Sequence, residues 1–286
     1  MTAERNTLKA DRLFNFSAGP AVLPEPVLAE IQRDMMALPG AGASILEISH
    51  RGKIFDAILQ EAKANLKQLL SIPDNYKVIF LQGGSRLQFS MVPMNLMRGG
   101  NGADYILTGS WGKSAYDEAV REGEIRIAWD GKDTNYDWLP NAGELKIDSS
   151  AAYVHFTSNE TIQVVEFLAE PGVGDVPLVC DASSDFLSRP LPIDQYGLIY
   201  ACAQKNAGPA GVTIVIIRDD LVERSSDELP GMLNFKNHVD CDSCYNTAPT
   251  FGIYVVNLVA KWLLHEIGGL EKMHARNRKK AEMLYE

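Results

Sequence analysis

Three short runs in this chain are apolar almost without interruption: Val176–Asp181 up to its last residue, Leu198–Ala203 and Val212–Ile217. A strand with one face in water alternates apolar and polar side chains. Uniformly apolar strands instead belong to a sheet covered on both faces. Four further runs read as strands, at Tyr76–Leu81, Tyr105–Thr108, Ile125–Trp129 and Tyr153–Thr157. Helical patterns lie between and around them at Val27–Met36, Ile54–Leu70, Arg86–Leu96 (with Pro93 inside it), Lys113–Glu122 and Ile253–Leu264. The strongest is Ile54–Leu70, where Phe55, Ile58, Leu59, Ala62, Leu66 and Leu69 make one apolar face. Strands alternating with helices predict an α/β fold with a mostly parallel mixed sheet flanked by helices. Ligands of such sheets lie outside the carboxyl ends of the strands.

The totals exclude several classes. Twenty-seven basic residues against 37 acidic ones leave a net charge of -10, which argues against a nucleic-acid partner. No apolar run is long enough to span a membrane and no secretory signal opens the chain, so a cytoplasmic location is expected. Of the four cysteines, Cys180 and Cys202 fall in apolar runs and read as core. Cys241 and Cys244 form a CxxC without a second pair or a histidine pair to complete a metal set. No metal is expected.

The run Leu198–Ala203 ends in Gln204-Lys205-Asn206, followed by the turn-forming Ala207-Gly208-Pro209-Ala210-Gly211. A lysine alone at that place would be a solvated loop residue. Asp181 alters the reading, because it ends an earlier strand 24 residues before and can reach the same sheet edge. Taken singly, Asp181 fits a helix cap or an ion pair equally well. Together, the two residues suit a pyridine cofactor: the carboxylate keeps the ring nitrogen protonated, and the lysine holds the cofactor aldehyde as a Schiff base and then moves protons.

Other candidates cluster where strands end. Gly83-Gly84-Ser85-Arg86 stands between a strand and a helix, where backbone N–H groups can bind an anion, although it is neither a GxGxxG nor a P-loop. Trp111 follows Thr108-Gly109-Ser110; it reads either as core or, from a loop, as a stacking face for a flat ring. Thr157 and Gln204 can bond to ring or phosphate oxygens. His50-Arg51 suits an anionic substrate carrying phosphate or carboxylate, or else caps the next helix. Asn246-Thr247 reads as a helix start, or as a contribution to a phosphate site from a second subunit.

Seven segments, in this order, resemble the phosphoserine aminotransferase family of fold-type I pyridoxal-phosphate enzymes. They are Asn15–Pro20, Ser49–Gly52, Gly83–Phe89, His155–Gln163, Asp181–Asp185, Ala203–Gly211 and Tyr245–Pro249. The resemblance implies reversible transamination: glutamate gives its amine to pyridoxal 5'-phosphate, and 3-phosphohydroxypyruvate becomes O-phospho-L-serine. A related activity on a phosphorylated hydroxythreonine-type substrate occurs among bacterial members. It further implies Lys205 as the Schiff-base lysine, Asp181 at the pyridine nitrogen and Trp111 on the ring. Thr157 and Gln204 would bond to ring oxygen or phosphate, and Ser85 and Arg86 would hold the phosphate. Asn246 and Thr247 would come from the partner of a homodimer with shared active sites. His50, Arg51 and Arg86 would receive the substrate's anionic groups.

The pattern departs from the family at Gln163-Val164, where Gln-Gly is usual, and the CxxC is foreign to it. The last residues, Leu270–Glu286, read as a helix without a stop signal. The expected organisation is an arm over 1–15, a large cofactor-binding domain over 16–265 and, over 266–286, the start of a truncated small C-terminal domain. Two rival readings are another fold-type I enzyme, such as an alanine–glyoxylate aminotransferase or a cysteine desulfurase, and a non-catalytic protein that keeps the fold.

Overall fold

The computed structural model describes residues 12–97 and 99–285; most of the arm expected over 1–15 lies outside them. In chain order the elements are α1 (Glu25–Asp34), α2 (Lys53–Leu70), β1 (Tyr76–Leu81), α3 (Gly84–Leu96), β2 (Ala103–Leu107) and α4 (Ser110–Ala119). Then come β3 (Ile125–Asp130), β4 (Val154–Thr157), β5 (Asn159–Glu160), β6 (Val165–Glu166), β7 (Leu178–Asp181), β8 (Tyr196–Cys202) and β9 (Thr213–Arg218). The chain closes with α5 (Asp219–Val222), α6 (Phe235–Asp240), α7 (Thr250–Trp262) and α8 (Leu270–Tyr285).

The seven-stranded sheet runs β1-β9-β8-β7-β4-β2-β3. β9 is antiparallel to both its neighbours, and the other six strands run one way. Side chains alternate between the two faces, and both faces are covered. Ile199 and Ala201 of β8, with Ile214 and Ile216 of β9, pack in the layer that holds Phe55, Leu59 and Leu66 of α2 and Val255, Val256 and Val259 of α7. Leu198 and Tyr200, with Val215 and Ile217, pack in the layer of Phe89 and Val92 of α3 and Ala115 of α4. That two-sided burial is why these strands carry no polar stripe. α7 is buried continuously from Gly252 to Ala260, because it lies in the interior against α2 and α1.

Several helix boundaries differ from expectation. α4 begins three residues earlier than the predicted Lys113, so Trp111 sits in the first turn of a helix and not in a loop. The cause is a cap supplied from a distant segment. The helix predicted over Ile253–Leu264 starts at Thr250 and passes after Trp262 into a π turn, Leu263–Ile267. Pro93 lies within α3, and the helix continues through it to Leu96.

Candidate active site

The parallel register decides which residues meet. Thr157 is paired with Asp181 across β4 and β7, and Asp181 with Tyr200 across β7 and β8. All three stand at the carboxyl edge, where β1 also delivers Gly83–Arg86 and β2 delivers Thr108–Trp111. The turn after β8 brings Lys205 back over the same edge.

Lys205 is partly buried, and its Nζ donates to the hydroxyls of Thr161 and, at 2.9 Å, of Ser184. These two hydroxyls are themselves bonded at 2.7 Å. The ammonium group lies over the Trp111 ring, 5.4 Å from its centre, and the Arg86 guanidinium lies 5.6 Å from the same ring. The lead-in loop is tied to this turn as well, since Ala21 N–H donates to the carbonyl of Gln204 at 2.9 Å.

Asp181 is only 4% exposed. Its Oδ1 accepts the Ser183 N–H at 3.0 Å and the Ser183 hydroxyl at 2.6 Å. Burial pushes its carboxyl above the usual range, against the downward pull of the Ser183 bonds and of the Lys205 charge. Among the described residues, no ion pair is made to it. A buried carboxylate without a cation is costly, and a positively charged ring N–H is the kind of partner that would offset the cost.

The anion loop is built on conformation. Gly83 and Gly84 both hold left-handed backbone, at φ 88° and 65°, which a side chain would strain. Ser85 follows them in the first turn of α3. Its hydroxyl meets Ser183 and Cys202 at 2.8 Å each, and its N–H donates to Cys202 Sγ at 2.8 Å. One continuous network thus runs from Ser85 through Ser183 to Asp181. Thr157 Oγ1 and Trp111 Nε1 are buried without hydrogen-bond partners among the described residues. Two unanswered polar atoms, an unpaired carboxylate and a left-handed glycine pair form a set of donors and acceptors that fits a flat, anionic, protonatable ring.

Not every candidate converges here. His50 is partly buried, Arg51 is exposed, and the His50 carbonyl accepts from Cys244 Sγ at 3.7 Å. Asn246 donates to Gln82 Oε1 at 2.8 Å, and Gln82 donates to the Thr247 carbonyl at 3.1 Å. No hydrogen bond, ion pair or ring contact among the described residues joins these four to Lys205 or Asp181. The side chain of Gln204 likewise makes none to them. Sequence reasoning passed over Thr161, Ser183, Ser184, Glu160 and Cys202. Glu160, Thr161, Ser183 and Ser184 carried a signal, since they lie within His155–Gln163 and Asp181–Asp185, two of the segments that carry the resemblance; Cys202 read only as core.

The whole of residues 13–286 matches the family model described as aminotransferase class-V. The phosphoserine aminotransferase of Rhodopirellula baltica is 54% identical over 286 residues, covering 99% of this chain and 76% of that one. The structure of phosphoserine aminotransferase from Bacillus circulans subsp. alkalophilus superposes with a TM-score of 0.93 at 48% identity, over 96% of this chain and 76% of that chain. A PLP-bound phosphoserine aminotransferase from Trichomonas vaginalis gives a TM-score of 0.91 at 40% identity, over 96% and 81% of the two chains.

Proposed function

The chain belongs to the phosphoserine aminotransferases of aminotransferase class V, and we propose on that footing how its own residues divide the work. The enzyme transfers an amino group reversibly from L-glutamate to 3-phosphohydroxypyruvate, giving 2-oxoglutarate and O-phospho-L-serine. Its cofactor is pyridoxal 5'-phosphate. When bound, that group supplies an aldehyde that amines can condense with and a ring that accepts carbanion electrons.

Lys205 is the residue that holds the aldehyde and, once freed, carries the proton to and from the substrate carbon. Thr161 and Ser184 keep its amine in place meanwhile. Asp181 keeps the ring nitrogen protonated and in return gains the counter-charge its burial demands. Trp111 offers the stacking face, Thr157 Oγ1 donates to the ring oxygen, and Gln204 bonds to ring oxygen or phosphate. Ser85 and Arg86, at the start of α3, hold the phosphate. His50, Arg51 and Arg86 take the phosphate and carboxylate of the substrate, where charge-assisted bonds discriminate against unphosphorylated analogues.

Among the described residues no hydrogen bond or ion pair joins Asn246, Thr247, His50 or Arg51 to this chain's own lysine, and a homodimer with shared sites, Asn246 and Thr247 reaching the partner's cofactor phosphate, accounts for that. The apolar side chains of Phe14, Phe16, Ile162 and Leu168, all strongly exposed, suit burial in such an interface. No helix among the described residues is long and apolar enough to cross a membrane. We assign the protein to the cytoplasm, with residues 16–265 as the large cofactor-binding domain.

The unpaired, buried Asp181 at the same sheet edge as Lys205 carries this reading. Protein supplied with pyridoxal phosphate, glutamate and phosphohydroxypyruvate should form phosphoserine and 2-oxoglutarate in equal amounts, with hydroxypyruvate a far poorer acceptor. Absence of amino transfer from folded, cofactor-loaded protein would refute it.

A further inference from the structure

Glu160 has no exposed surface, yet none of the roles above uses it. Its Oε2 accepts the N–H of Trp111 at 2.9 Å, and its Oε1 accepts the N–H of Gly112 at 2.7 Å. Three residues on, Gln163 Oε1 accepts the N–H of Ser110 at 3.1 Å, while Nε2 donates to the Ser110 hydroxyl at 2.8 Å. The first three N–H groups of α4 are therefore all taken by side chains of one distant segment. α4 has no side-chain cap of its own, because Gly109 stands at the cap position. The glycine is required by approach: a Cβ there would lie 2.5 Å from Glu160 Cδ and 2.6 Å from Gln163 Oε1. Between the two braces, Thr161 accepts from Lys205. One short segment thus grips the helix turn bearing the indole and the amine facing it.

We propose that Glu160 is a positioning residue for this reaction: as a doubly accepting carboxylate it caps α4, and so sets the Trp111 ring against Lys205. Helix starts leave backbone donors unsatisfied and favour negative charge. A carboxylate answers two of these donors at once. A glutamine answers one and turns an NH2 group towards the other, so Glu160→Gln is a disruptive change despite its matched shape. Glu160→Asp keeps the charge and both oxygens on a shorter arm.

This inference rests on the cofactor reading above, so its test includes a readout on cofactor-free protein. Amide hydrogen exchange at Trp111 and Gly112 should accelerate at least about tenfold in cofactor-free Glu160→Gln, with Glu160→Asp recovering much of the protection. In Glu160→Gln, pyridoxal phosphate affinity, followed by the absorbance of the bound cofactor so that Trp111→Phe variants can be measured in the same way, should fall about tenfold or more. Because Glu160 acts through the indole, Glu160→Gln should cost little further affinity in the Trp111→Phe background. Gln163→Ala, which removes the lesser brace, should move the same readouts in the same direction and serves if Glu160→Gln fails to fold. Unchanged exchange at Trp111 and Gly112 would overturn the proposal, as would fully additive losses in the double variant. Wild-type protein that binds no pyridoxal phosphate would overturn the functional reading instead, leaving the exchange experiment to decide on the cap.

Discussion

Lys205 Nζ lies over the Trp111 ring, 5.4 Å from its centre, and one partner of each residue comes from the same short segment, Thr161 for the amine and Glu160 for the indole's helix turn. Thr161 and Ser184 hold the amine, and Glu160 holds the helix turn that carries the indole. The separation between a reactive amine and a flat apolar face is therefore set by Glu160–Gln163, a segment that itself is given no chemical step. Such placement from rigid surroundings supports proton transfer over short distances.

Asp181 is the site's buried acid, and replacing it removes a charge while preserving its shape. Asp181→Asn should leave the fold intact by circular dichroism and lower kcat by about 100-fold or more, with weaker cofactor retention. A rate near that of the wild type would show that Asp181 does not serve the ring nitrogen.

Val164 offers a test of backbone strain. It is 72% exposed and holds φ at 59°, a left-handed conformation that a β-branched residue resists. Val164→Gly should raise unfolding stability by about 0.5–1 kcal/mol, relief of strain exceeding the entropy cost of glycine. Urea denaturation would detect it, and a lower midpoint would count against the strain.

Asp185 gives a pH dependence of definite sign. Burial pushes its carboxyl up to about 7, despite the hydrogen bond from Ser158 at 2.5 Å. Between its ordinary value near 4 and about 7 the folded state holds a proton that the unfolded state has released. The stability this gives is present in acid and is lost as pH rises to about 7. Asp185→Asn should therefore gain on the wild type by about 2 kcal/mol between pH 5 and pH 8. A constant difference across that range would mean that Asp185 titrates normally.

The proposed role of Arg51 is with the substrate and not with the cofactor. Arg51→Ala should lower kcat/KM for phosphohydroxypyruvate about 10- to 100-fold and leave pyridoxal phosphate affinity nearly unchanged. Loss of the cofactor would reassign the residue.

Much of this was legible in the sequence because burial leaves a direct mark. β8 and β9 are covered on both faces, so their apolar runs announced a sheet buried on both sides although β9 runs antiparallel, and the ends of β7 and β8 placed Asp181 at the same sheet edge as Lys205. The start of α4 was hidden for a physical reason: its cap, Glu160, lies 49 residues from Trp111, and nothing beside Gly109 reports it. Cys202 looked like core and is buried, yet its sulfur also accepts the Ser85 N–H, a contact only the register across β8 creates. The two-residue strands β5 and β6 are too short to carry a period at all.

Borohydride reduction in the presence of pyridoxal phosphate, followed by peptide mapping, addresses the central claim most directly. The label is predicted on Lys205, within the peptide that carries Gln204 and Asn206, and Lys205→Ala should remove it together with turnover. Label on a different lysine, or none on folded protein, would contradict the assignment of this lysine and of the site built around it.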